Sequence, residues 1–208
     1  MNRSVGIVGA VLASIAGLVV VLMLRTSGNS DPIGQDSIVM LGDSITAEAD
    51  WNRLLPDQPL VNEGHQGFTT EQLITVAERV AAADPAAVIV LTGTNDIRDG
   101  RPPTWTREQL DLLIDRLERG STATIVVQTV LPRADAPTAV RQVNAEIRDL
   151  AAVRGLRLVD LYETFDDGTG ALRGHETYDG LHLTVDGYER WANELQPVLL
   201  GLHSLSEL

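Results

Sequence analysis

The sequence predicts an α/β fold, a three-layer α/β/α sandwich built on a parallel sheet, and three observations carry that expectation. Short apolar runs alternate with amphipathic helical patterns from residue 36 onward. The runs at 87–91 and 124–127 are nearly continuous in apolar residues, as strands covered on both faces must be. The residues directly after the runs are polar and glycine-rich, which suits a site at one edge of such a sheet.

Taken in order, residues 5–24 form twenty uncharged positions, VGIVGAVLASIAGLVVVLML, long enough to cross a bilayer as a helix. The run exceeds the usual signal-peptide core and is followed by Arg25-Thr26-Ser27-Gly28 without a small-x-small cleavage site. Residues 1–25 are therefore expected to be a membrane anchor; a cleaved leader would instead give a secreted body. Arg3 and the α-amino group precede the span and Arg25 follows it, a bias that places the N-terminus in the cytoplasm and the body outside. Gly9, Ala13 and Gly17 recur every four residues beside a second stripe of Gly6, Ala10 and Ser14. Such a face permits weak self-association in lipid, although small residues are common in spans for no such reason. Residues 26–35, TSGNSDPIGQ, have linker composition, and residues 36–208 form the expected catalytic domain.

Within that domain, strands are expected at 37–41, 59–61, 87–91, 124–127 and 156–161. Helical patterns lie between them: Leu73, Ala77 and Val80; Leu110, Leu113, Ile114 and Leu117; Val140, Val143, Ile147 and Leu150; Tyr188, Trp191, Ala192 and Leu195. Thr69-x-x-Gln72 and Thr106-x-x-Gln109 read as capping boxes at two helix starts.

Composition excludes whole classes of chemistry. The 208 residues contain no cysteine, and all 16 basic residues are arginine. Disulfides, thiol nucleophiles, lysine-dependent phosphate loops and serine–lysine couples are thereby ruled out. Fourteen arginines face 29 acids beyond residue 30, within a net charge of −13, so a nucleic-acid partner is not expected.

The candidate chemistry lies just after the runs. Ser44 follows the first run in Gly42-Asp43-Ser44 and would open a helix whose free N–H groups favour an oxyanion; an N-cap serine would suit the position equally. Asp179 stands three residues before His182, close enough to hold Nδ1–H and leave Nε2 as a base. Asn95 could donate its amide to an oxyanion or serve only as a turn residue. Gly67 could bring an N–H to substrate or merely supply a positive φ.

Order and shared edge carry more than any one signal, and here the chain resembles the SGNH, or GDSL-type, hydrolases. The matching blocks are VMLGDSIT at 39–46, NEGHQGFT at 62–69, VLTGTND at 90–96 and DGLHLTVDGYERWA at 179–192. Ile45 stands where the family name has leucine, an apolar exchange of little consequence. The resemblance implies a flavodoxin-like sheet of five parallel strands, Ser44 as nucleophile, His182 as base and Asp179 as its orienter. It also implies an oxyanion hole of the Ser44 and Gly67 N–H groups and the Asn95 side chain, with no metal or cofactor.

His65 falls at a free position of the second block, and His175 lacks the D-x-x-H placement, so neither is expected to act as base. Asp166-Asp167-Gly168-Thr169-Gly170 lacks the alternating spacing of a calcium loop and reads as a solvated turn. Ser44 is expected to attack an ester and form an acyl-serine that water releases. The alternatives are acyl transfer to a glycan hydroxyl, or a binding module that kept the fold without catalysis. Few aromatics and short connections favour short acyl groups, such as acetyl on cell-envelope glycans or small esters.

Overall fold

The computed structural model describes residues 32–206. The anchor at 5–24, its small-residue stripes and most of the linker lie outside the described residues. Among the described residues, no helix is long and apolar enough to cross a membrane.

Five strands form one parallel sheet: β1 (Ile38–Gly42), β2 (Leu60–Gly64), β3 (Ala87–Leu91), β4 (Thr124–Gln128) and β5 (Arg157–Val159), in the order β2-β1-β3-β4-β5. Side chains alternate across the sheet, so one apolar strand feeds two cores. Ile38, Met40, Ala87, Ile89, Leu91 and Val126 face one side, where Trp51, Phe165, Trp191 and Leu195 pack. Val39, Leu41, Val88, Val90 and Val127 face the other, against Leu73, Leu110, Leu113, Leu117, Val143 and Ile147.

The helices α1 (Ser44–Ala47), α2 (Trp51–Leu54), α7 (Leu161–Phe165) and α8 (Val185–Ser206) supply the first layer. The second consists of α3 (Thr70–Ala82), α5 (Pro103–Gly120) and α6 (Pro137–Arg154), while the short α4 (Thr94–Arg98) follows β3. Two buried bonds tie α8 to the rest: Trp191 Nε1 donates to Gln128 Oε1 at 2.8 Å, and the Tyr188 hydroxyl donates to the Ile45 carbonyl at 2.8 Å. The second of these fixes the helix that begins at Ser44.

Two local expectations are corrected. The run at 156–161 is strand only over Arg157–Val159, because the Asp160 carboxylate accepts the Glu163 N–H and starts α7 at Leu161. Thr106 does not cap a helix. Helix α5 begins three residues earlier at Pro103, whose ring pre-sets the helical φ and whose missing N–H costs nothing in a first turn. Thr106 is buried inside the helix, with a hydroxyl that has no partner among the described residues. At Thr69 the expected start is present: Gln72 Oε1 accepts from the Thr69 N–H at 2.9 Å and from its hydroxyl at 3.3 Å.

Candidate active site

Strand register brings the chemistry to one level. Gly42 pairs with Gly64 on one side and Leu91 on the other, so β1, β2 and β3 end together and their following loops share an edge. The Asp43 carboxylate accepts the Ile45 N–H at 3.0 Å and starts α1, leaving Ser44 as the first helical residue, where its N–H has no partner within the helix. The approach of β2 to α1 is tight. A Cβ added to Gly64 would lie 2.2 Å from the Ala47 nitrogen, while Asn62 Nδ2 donates to the Ala47 and Ala49 carbonyls at 3.2 and 3.1 Å.

The histidine arrives on the loop between α7 and α8. An isolated bridge between Thr177 and Leu183 closes it, and the Thr177 hydroxyl donates to the His182 carbonyl at 2.7 Å. Below, Glu176 is buried and accepts from Arg190 Nη1 at 3.1 Å and Arg173 Nη1 at 3.4 Å. At the tip, His182 Nε2 lies 3.0 Å from Ser44 Oγ, and Nδ1 lies 2.7 Å from Asp179 Oδ2. The other Asp179 oxygen accepts the Leu181 and His182 N–H groups at 2.9 and 2.7 Å. Desolvation pushes the Asp179 carboxyl upward, but the bonds from His182 and these two amides outweigh it and hold it below the usual range. Asp179 thus stays charged while it fixes the ring, so that Nε2 faces the serine.

Gly67 has φ +75°, a conformation that favours glycine, in the loop after β2. Asn95 is buried in the first turn of α4, and its Nδ2 donates to the Phe68 carbonyl at 2.9 Å, which joins it to the Gly67 loop. Arg98 Nη1 donates to Asn95 Oδ1 at 2.7 Å. The two bonds agree on the amide's orientation and leave one Nδ2–H for a ligand. The sequence-predicted residues thus fall into two groups, Ser44–His182–Asp179 and Gly67–Asn95.

His65 stacks on Phe68 at 4.9 Å between ring centroids and lies 3.3 Å from Glu63, which Arg79 holds with both guanidinium nitrogens. His175 is mostly exposed and lies 3.8 Å from Glu176. Neither has a contact with Ser44 like that of His182. At 166–170, Asp166 accepts the Gly168 and Gly170 N–H groups in a turn, and no metal-holding cluster occurs among the described residues.

Sequence reasoning missed Glu48, Tyr178 and Arg98. The Tyr178 ring stacks on His182 with centroids 5.7 Å apart and planes 12° apart. Its hydroxyl donates to Glu48 Oε2 at 2.9 Å, and Glu48 Oε1 lies 3.9 Å from His182 Nε2. Glu48 stands four residues after Ser44, one helical turn on, and that spacing is the signal by which it could have been found.

A doubly covered parallel sheet with a serine, histidine and carboxylate in sequence at its carboxyl edge has the architecture of an ester hydrolase. The chain belongs to the GDSL-like lipase/acylhydrolase family, whose model matches residues 40–190. It is 26% identical over 180 residues to the platelet-activating factor acetylhydrolase IB subunit alpha2 of Rattus norvegicus, spanning 81% of this chain and 78% of that one. The alpha1 subunit from the same organism is 27% identical over 183 residues, spanning 82% and 75%. Among solved structures, a GDSL-like lipase from Bacteroides thetaiotaomicron superposes with a TM-score of 0.72 at 23% identity, covering 80% of this chain and 89% of that one. A lipase/acylhydrolase from Enterococcus faecalis gives 0.69 at 22% identity, covering 80% and 96%.

Proposed function

We propose that this ester hydrolase works through an acyl-serine at Ser44 and removes short acyl groups, acetyl above all, from envelope glycans or small esters. The observation that carries the proposal is the unbroken series from Ser44 Oγ to His182 Nε2 to Asp179 Oδ2, at 3.0 and 2.7 Å. Ser44 Oγ attacks the ester carbonyl as its proton passes to His182 Nε2. The tetrahedral intermediate collapses, the C–O bond breaks, and the same proton leaves with the alcohol. Water then gives its proton to Nε2 as it attacks the acyl-serine; the second intermediate collapses, the Oγ–acyl bond breaks, and the proton returns to Ser44 Oγ as the acid leaves.

The Ser44 N–H, the Gly67 N–H and the remaining Asn95 Nδ2–H are the donors proposed for the developing oxyanion. The acetyl preference is supported by the names of the mammalian relatives, which are acetylhydrolases. The domain is proposed to be tethered by residues 5–24 outside the cytoplasmic membrane, on the strength of the uncharged span and its flanking charges.

The test pairs a fluorophosphonate probe with 4-nitrophenyl esters of increasing chain length, followed by acetate release from envelope polysaccharide. Labelling of the parent but not of Ser44→Ala, with turnover falling as the acyl chain lengthens, is the expected result. An unlabelled Ser44, or a preference for long chains, would overturn the serine mechanism or the acyl preference respectively.

A further inference from the structure

We propose that Glu48 makes the leaving-group side of the site select by charge, accepting cationic and neutral alcohols over anionic ones. The inference rests on the acyl-serine reading, because that chemistry fixes where the alcohol must stand. The leaving oxygen takes its proton from His182 Nε2 and so approaches within hydrogen-bonding distance of it, about 3 Å. Glu48 Oε1 is 3.9 Å from the same nitrogen, which puts the leaving oxygen within roughly 7 Å of the carboxylate, less than a Debye length at physiological salt.

The carboxylate is held in place. Tyr178 donates its hydroxyl to Glu48 Oε2 at 2.9 Å, and Gln66 Nε2 donates to Oε1 at 3.4 Å from the opposite loop. Desolvation and then the Glu48 carboxylate push the Tyr178 phenol up to about 12, so it remains a donor at neutral pH. Its ring covers one face of His182 and is otherwise exposed, at 61%. An alcohol leaving past His182 therefore meets an aromatic edge and a fixed negative charge. The carboxylate bonded to this imidazole, that of Asp179, reinforces the sign. Arg98, by contrast, spends a guanidinium nitrogen on Asn95, at 2.7 Å. The alcohol, which must approach His182 Nε2, thus meets the negative charge of Glu48 there.

Three acetate esters of one phenol test the proposal: with a meta-trimethylammonio group, with no charge, and with a meta-carboxylate. The ratio of kcat/KM for the cationic ester to that for the anionic one should fall by roughly two- to fivefold from the parent to Glu48→Gln, the size of effect a single partly exposed charge gives across about 10 Å. The amide still accepts from Tyr178, so the shape is kept. A merely structural role would lower all three esters alike and leave the ratio unchanged, and that result overturns the proposal.

Raising ionic strength with the parent protein gives a second reading that needs no variant: the ratio should contract with salt, and a salt-independent ratio counts against Glu48 as well. Ser44→Ala, run in parallel, separates the two levels. Loss of all turnover there with an unchanged ratio in Glu48→Gln removes only the charge selection, whereas retained turnover in Ser44→Ala removes the acyl-serine reading itself.

Discussion

Asn95 has two polar partners that fix its amide, so its removal separates a catalytic donor from a loop fastener. The carbonyl oxygen of an ester gains charge only as Ser44 attacks, and a donor aimed at that oxygen acts on kcat more than on KM. Asn95→Ala should reduce kcat by about 10²–10³ with KM little changed. Near-normal kcat with a lowered melting temperature would show that the bond to the Phe68 carbonyl is its whole role. His182→Ala should remove nearly all turnover and His175→Ala little, since the exposed His175 ring lies against Glu176 at 3.8 Å whereas that of His182 meets Ser44 Oγ; equal losses, or the reverse order, would overturn the assignment of the base.

Asp43 gives a pH test. Burial above all pushes its carboxyl from 3.8 to about 7, against the Ile45 amide and the His182 charge, which pull it down. A folded value above the unfolded one means that folding takes up a proton between about pH 4 and pH 7, so stability is fully present below that window and declines as pH rises through it. Asp43→Asn keeps an acceptor for Ile45 and removes the dependence. Its melting temperature should gain several degrees on the parent between about pH 4 and pH 7, and a constant difference would show Asp43 ionised throughout.

The residues legible in the sequence are those whose partner is local or whose place follows a strand end: Asp179 is three positions from His182, and Ser44 and Asn95 follow apolar runs. Glu48 and Tyr178 meet across 130 positions, and Arg98 acts through a side-chain rotamer, neither of which a local pattern encodes.

Elements succeed or fail in this protein by how closely they approach. Periodicity located the helices because each must bury a stripe, and the run at 87–91 matched its strand because both faces are covered. Boundaries were harder where two start signals compete: Pro103 outbids Thr106 for the start of α5, and Asp160 cuts the last apolar run short. The contact that matters most for the site, β2 against α1, depends on the absence of a side chain at Gly64. A methyl group there would meet backbone atoms of Thr46 and Ala47, at 2.2–2.7 Å, which cannot swing aside as a side chain can. Gly64→Ala should therefore destabilise the domain by about 3 kcal/mol or more, and any protein that folds should lose turnover because α1 carries Ser44. Gly174→Ala is the control, since a Cβ there meets nothing within 4 Å; denaturation midpoints that shift equally in the two variants would refute the packing account.

At the scale of the whole molecule, two parts of opposite character are joined by ten residues. The span at 5–24 has no charge, whereas residues 31–208 carry 14 arginines against 29 acids; under the tethering proposal the span enters the bilayer while the domain is repelled by anionic headgroups. The tethering proposal therefore predicts a difference between substrates. Deleting residues 1–25 should leave kcat/KM on soluble acetate esters within about twofold, because residues 32–206 hold both cores and every group assigned to the reaction. The same deletion should sharply lower acetate release from envelope material in intact cells, where tethering raises the effective concentration. Fractionation and protease shaving check the premise directly. The full chain should be found in the membrane fraction and its domain should be cut from outside; a soluble, N-terminally trimmed product would overturn the anchor, and a domain protected in intact cells would overturn the topology.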